Sequence, residues 1–337
     1  MHGASPVPIG LCLSGDYLRA VTGVSSTPLA IDAVVSFDPT AHFVWVAIGA
    51  FLLTAGLDLA GNRTQARYAG SVAWVLFGVF WLTMVPYFYY DAQSPLQTIL
   101  SLAGLPLCVY TGYLLYGGRD SLLTLTRAVG LMGIIYLPFT TIEPLRRWLI
   151  ETVAIQSHMG MELLGYSPGI EQAQEGASNN YQSRFAFEGY STYIVLACTG
   201  IGSISIFGGL IAAIRAPLRR KVAAFAVAVG VIWILNLARN VFVGLASPLG
   251  WFDYGVFNTI TATLAGEGMR TSFFVSHHLI SQTLSIVALV GITLLVVRIV
   301  PELFDVLDDL LYILTGDEYD LRSDLGMEPV MTDGGDD

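Results

Sequence analysis

The chain has 337 residues, of which 54% are hydrophobic and only 12% charged, with a formal net charge of −10. A soluble domain carries roughly 25% charged residues, so this composition, with a mean hydropathy of +0.63, excludes an ordinary soluble fold. Apolar runs of about 18 or more residues recur, each able to cross about 30 Å of hydrocarbon, and no barrel-type alternation interrupts them. The expectation is an all-α, polytopic membrane helix bundle.

Residues 1–40 contain no run long enough to cross and form an external segment. They lack a basic stretch followed by an apolar one, so no cleavable leader is expected. Cys12, in "IGLCLSG", lacks the small preceding residue that a lipoprotein site needs. Seven spans then follow, at about 42–60, 68–90, 95–116, 121–142, 190–214, 222–247 and 273–297. Four of them fall within 41–142. The connection 143–189 begins with "PLRRWLIETVAIQSHMGMELLG", an amphipathic pattern that predicts a helix on the membrane surface. It continues with "YSPGIEQAQEGASNNYQSRFAFEGY", polar and rich in Gly, Ser and Asn, which predicts a loop. That loop is either a passive connection or a substrate lid. Residues 190–298 hold the last three spans. Residues 299–337 form an acidic tail, of a kind that is usually solvating or disordered. Lys221 is the only lysine, and an acidic, lysine-poor chain suits a high-salt cytoplasm.

Arginine in the short loops sets the orientation. Arg63, Arg67, Arg119, Arg127, the Arg215–Lys221 turn "RAPLRRK" and Arg298 fall on one side if the N-terminus is outside and the C-terminus inside. The 143–189 segment is then external and the acidic tail cytoplasmic.

Polar residues inside the last three spans carry the chemistry. Arg239 lies deep within "VIWILNLARNVFVGLA". A guanidinium there is costly and stays charged. Snorkelling over about 12 Å would relieve it, but Asn236, Arg239 and Asn240 at i, i+3 and i+4 make one polar face instead. In "SFFVSHHLISQTLS", His278, Ser281, Gln282 and Ser285 fall on one helical stripe. His277 lies about 100° away, so His278 is the expected interior histidine. In "STYIVLACTGIGS", a helix would put Cys198, Gly202, Ser205 and Gly209 on one face. Close helix packing explains the glycines, and alone it explains the cysteine as a small hydrophobe. Depth argues otherwise. Three successive helices place a thiol, a guanidinium and an imidazole in one layer of the outer leaflet, and a neighbouring cation favours the reactive thiolate. One Cys and one His are too few ligands for zinc, so neither metal nor cofactor is expected.

"ACTGIGS", "NLARN" and "SHHLIS", in that order on three consecutive helices, resemble the exosortase/archaeosortase family of halophilic archaeal type, with a family core over about residues 185–290. The resemblance implies a membrane cysteine transpeptidase. Its substrates would be secreted proteins, the S-layer glycoprotein among them, that end in a Pro-Gly-Phe-type motif, an apolar helix and basic residues. It would cleave there through a thioacyl intermediate and permit lipid attachment, with an amine on a membrane lipid or water as acyl acceptor, between which the sequence does not choose, and no nucleic acid partner. Carried onto this chain, Cys198 is the nucleophile, Arg239 the second essential residue and His278 the third family position, which other members fill with Arg. Asn236, Asn240, His277, Ser281 and Gln282 support them. Two other classes stay open on the residues alone: a transporter or channel, which predicts polar groups through the whole depth and repeat symmetry, and a non-catalytic lipid-binding scaffold.

Overall fold

The computed structural model describes residues 39–91, 94–173, 180–265, 269–324 and 326. The chain is mostly helical. Helices α1 (Pro39–Leu59), α2 (Arg63–Pro86), α3 (Pro95–Tyr116) and α4 (Leu122–Thr141) form the first half. Helix α5 (Glu143–Leu163) leads to strands β1 (Gly169–Gln172), β2 (Gln182–Phe187) and β3 (Tyr190–Tyr193). A 3-10 turn, Leu196–Thr199, precedes α6 (Ile201–Ala213), and α7 (Leu218–Ala246) and α8 (Gly255–Ala265) follow. A short helix α9 (Thr271–Phe273), a π-helical segment Phe274–Ser281 and α10 (Gln282–Ile299) make one continuous rod. The 3-10 turn Pro301–Leu303, α11 (Phe304–Thr315) and α12 (Leu321–Asp324) end the described chain.

Among the described residues, five helical stretches are long and apolar enough to cross a membrane: Arg63–Tyr90, Pro95–Tyr116, Leu122–Thr141, Leu218–Ala246 and Thr271–Ile299. Phe43–Leu59 and Ile201–Ala213 are apolar but shorter. The helical membrane bundle expected from composition is therefore present.

The segment 190–214 departs from the expected single span. Its first residues form β3, and only Ile201–Ala213 is α-helical. "YSTYIV" is dense in β-branched and aromatic residues, which favour a strand, and an apolar run of that length does not distinguish strand from helix. The preceding "loop" is likewise structured. Antiparallel β1, β2 and β3 form a three-stranded sheet, with Phe185 opposite Thr192 and Arg184 opposite Tyr193. The period-2 signal in "QSRFAF" was legible but sat among turn residues.

Helix α5, the amphipathic segment, packs along the bundle. Its buried residues Leu149, Ile150, Val153, Ala154, Ser157 and Met161 pack into the bundle. Gln156 Oε1 accepts from Trp233 Nε1 of α7 at 2.8 Å. Helix α6 is held tightly against α4. A Cβ on Gly209 would stand 2.4 Å from the Ala128 carbonyl oxygen, so that small residue is there for close backbone approach, as helix packing in lipid favours.

The acidic tail is ordered through α12. Leu303, Phe304, Val306 and Ile313 are buried, and the acids meet the loop arginines. Arg119 donates to Asp309 and Glu318, both at 2.9 Å, and stacks 3.7 Å over Tyr312. Arg220 donates to Glu302 at 2.6 Å. The Arg119 guanidinium holds the Glu318 carboxyl below the usual carboxylate range. Composition alone reads such a segment as solvating, because it does not show that Glu302, Asp309 and Glu318 have arginine partners.

Candidate active site

Cys198 lies on the 3-10 turn between β3 and α6, not on a helix face, and it is fully buried. The expected alignment of Cys198 with Gly202, Ser205 and Gly209 is therefore replaced by a turn that ends in Gly200. Gly200 has φ +79° and caps α6. This left-handed conformation is costly for residues with a Cβ. The site is crowded too: a Cβ would meet Asn236 Cγ at 3.3 Å and Ile232 Cγ2 at 3.4 Å. Cys198 is disulfide-bonded in this structure, so the thiol chemistry considered below is that of its reduced form.

The polar face of α7 meets this turn. Asn236 Nδ2 and Asn240 Nδ2 both donate to the Cys198 carbonyl oxygen, at 2.7 and 2.9 Å. The two asparagines thus hold the backbone that carries the cysteine. Arg239, between them in sequence, contacts His277, with Nη2 3.0 Å from Nε2. A guanidinium has only donors, so Nε2 is the acceptor and the ring is neutral there, with its proton on Nδ1.

The histidines are the reverse of the helical expectation. His277, not His278, stands against Arg239. The cause is the π-helical segment Phe274–Ser281. One extra residue per turn rotates everything beyond it by about 100° relative to an α-helix. Going up from Ser281, the same face passes through His277. His278 turns instead toward Gln282, with Nδ1 3.4 Å from Gln282 Nε2, and Gln282 Nε2 also donates to Ser94 Oγ at the start of α3 at 3.1 Å. The polar stripe therefore divides. Ser281 and Ser285 face α7 across a cavity, whereas His278 and Gln282 face α3. Both imidazoles are buried. Phe273 stacks on His277 at 5.0 Å, and the two imidazole centroids are 4.6 Å apart.

A second network, which sequence pattern did not reveal, ties these elements together. Asp253 Oδ1 accepts from the Ser272 amide at 3.1 Å and from its hydroxyl at 2.7 Å, at the start of the histidine rod. Ser272 Oγ in turn accepts from the Phe252 amide at 2.9 Å. Arg270 donates to the Pro248 carbonyl at 3.1 Å and lies 4.5 Å over the Tyr190 ring of β3. Ser247, just past α7, donates to Tyr190 Oη at 3.1 Å. Burial raises the Tyr190 pKa, which keeps the phenol neutral in this role. The partners lie from 19 positions apart, for Asp253 and Ser272, to 80, for Tyr190 and Arg270, and no spacing links them.

A cavity of about 340 Å³ lies between α6, α7 and α10, bordered by Gly200, Asn236, Arg239, Ser281 and Ser285 at one end and by Leu235, Leu289 and Ile292 toward the other. Among the described residues no group of three or more His, Cys, Asp or Glu is arranged to hold a metal.

The family model of the transmembrane exosortases matches residues 37–257. The chain belongs to that family. It is 42% identical over 295 residues to archaeosortase A of Haloferax volcanii, covering 84% of this chain and 97% of that relative. It is also 42% identical over 275 residues to archaeosortase A of Natronomonas pharaonis, covering 80% and 87%. No solved structure matches. The matched region of this exosortase is wider than the expected 185–290 core on its N-terminal side. It includes Cys198 and Arg239 and stops before the histidines.

Proposed function

We propose that this membrane sorting enzyme is a cysteine transpeptidase with Cys198 as nucleophile. Its substrates are secreted proteins with a C-terminal Pro-Gly-Phe-type motif, an apolar helix and a basic end, the S-layer glycoprotein among them. The observation that carries the reading is the convergence of three segments. Two asparagines of α7 fix the Cys198 carbonyl, and Arg239 between them meets a histidine of the last span.

The reaction runs in two balanced steps. The Cys198 thiol gives up its proton and the thiolate attacks the carbonyl carbon after the motif. The C–N bond breaks, the leaving amine takes a proton, and a thioester remains. An acceptor amine on a membrane lipid, or water, then attacks the thioester; its proton returns to the sulfur as the C–S bond breaks. Arg239 cannot serve as a base. It stabilises the thiolate and the oxyanion of the tetrahedral intermediate, and His277 orients it by accepting one of its N–H bonds. His278 is assigned the proton in this reading: its Nδ1 faces Gln282, its ring centroid lies 4.6 Å from that of His277 beside Arg239, and the exchange takes place at Nε2. Gln282 presents either its amide N–H or, flipped, its carbonyl to Nδ1, so it serves this ring in both tautomers. The active site lies toward the outer leaflet, where secreted substrates arrive.

The test is replacement of Cys198 by Ala in cells lacking the native enzyme, reading the substrate's size and lipid content. The variant inserts, accumulates and leaves the substrate unprocessed. Full processing by it defeats the proposal.

A further inference from the structure

The 340 Å³ cavity beside Arg239 has two properties that the cleavage chemistry does not require. It opens sideways. Its rim residues Leu235, Leu284 and Leu289 are 45%, 60% and 41% exposed although they lie on the two spans Leu218–Ala246 and Thr271–Ile299, so the opening faces lipid rather than water. It is also graded. Asn236, Arg239, Ser281 and Ser285 border one end, and only apolar side chains border the other.

The shape limits the occupant. Helices α7 and α10 pack against each other, and α6, which packs on α7, adds Ser203 and Phe207 to the cavity wall; packed helices stand about 8–10 Å apart. A substrate helix, about 10–12 Å across, can lie over such a furrow but cannot enter it. A single extended hydrocarbon chain can. The polar end limits the headgroup. Arg239 contacts His277, but among the described residues it forms no ion pair with a carboxylate. A guanidinium has five N–H donors and pairs well with phosphate oxygens, so one that borders an apolar furrow is complementary to an anionic headgroup.

We infer that this furrow is the binding site for the acceptor phospholipid. One hydrocarbon chain lies along Leu235, Ala238, Leu284 and Ala288, and the headgroup phosphodiester meets Arg239. The lipid's role as acceptor rests on the proposed transpeptidase reading; the binding site itself does not. The occupant reaches the site laterally from the bilayer, beside the α7 face that holds the Cys198 carbonyl.

The test uses the full chain in nanodiscs containing a phosphatidylethanolamine with a diazirine in one acyl chain. Photolabels should concentrate on the α7–α10 furrow and not on the lipid faces of α2 and α3. Ala288→Trp fills the furrow and should lower that labelling about tenfold, the scale of overpacking a fitted site. Ala238→Leu is the milder check if Ala288→Trp does not fold. A diacylglycerol with the same diazirine chain should label weakly, because it lacks the phosphodiester. Labelling spread evenly over all lipid-facing helices, or unchanged in both variants, overturns the inference. Equal labelling by the diacylglycerol overturns the phosphodiester contact. If a photolabelled peptide of the substrate's motif takes the furrow and excludes the lipid, the site belongs to the substrate instead. Cys198→Ala must leave lipid labelling intact. Should that variant also process substrate, the transpeptidase reading fails while the labelling still decides the lipid site.

Discussion

Gly200→Ala tests whether the geometry of the cysteine turn matters as argued. At φ +79° an alanine costs roughly 1–2 kcal/mol for the left-handed conformation alone. Its Cβ would also press on Asn236 Cγ at 3.3 Å, the side chain whose amide holds the Cys198 carbonyl at 2.7 Å. Gly202, two residues on, is the control. It is helical, with nothing within 4 Å of an added Cβ, so Gly202→Ala should stabilise α6 by roughly 0.5–1 kcal/mol. The two substitutions add the same methyl group and should differ by about 2 kcal/mol in stability. They should differ more in processing, because only Gly200→Ala displaces the asparagine clamp. Thermal unfolding in detergent and substrate processing in cells read the two effects. If Gly200→Ala behaves like Gly202→Ala in both, the turn is not strained and the clamp is not needed.

His277→Ala should cost processing by freeing Arg239, whereas His277→Gln, whose carbonyl can accept the same N–H, should recover part of it; equal loss in both variants argues against an orienting role. Arg239→Lys should lose on the order of a hundredfold in acylation rate, since an ammonium lacks the planar fork of donors, and near-normal activity would reduce the residue to a point charge. Asp253→Ala removes the acceptor of the Ser272 amide and hydroxyl and should destabilise by about 1–2 kcal/mol, whereas Asp253→Asn, whose Oδ1 can accept the same two bonds, should cost less; thermal unfolding measures both. Arg119 holds Glu318 below its ordinary range. Its contribution is therefore present above the unfolded value of about 4.3 and fades as pH falls through the lower folded value. Limited proteolysis beyond Thr315 should rise in acid, modestly for so exposed a pair, and should be unchanged by pH in Glu318→Gln.

The membrane bundle and the Asn236–Arg239–Asn240 face were legible in the sequence because both depend on local periodicity. Residues at i, i+3 and i+4 of a regular helix share a face whatever surrounds them, and the structure finds Asn236 and Asn240 joined to one carbonyl. What failed was register wherever the backbone leaves the α-helix. The π segment at Phe274–Ser281 has no composition signature in "FVSHHLIS", and it moves the Arg239 contact from His278 to His277. The same holds for Cys198. An apolar stretch that begins as a strand and turns through a 3-10 segment gives no helical face to read. The Asp253–Ser272 and Arg270–Tyr190 contacts were invisible for a different reason: they join residues far apart in the chain through tertiary structure alone.

The central claim is that reduced Cys198 becomes acylated during turnover. Purified enzyme, reduced and mixed with a peptide carrying the sorting motif, can be quenched in acid and digested, and its cysteines mapped by mass spectrometry. The account predicts a motif-acyl adduct on Cys198 that hydroxylamine removes, absent from Cys108 and lost in Cys198→Ala along with all cleavage. Cleavage by Cys198→Ala, or turnover by the wild type with no cysteine ever acylated, contradicts it.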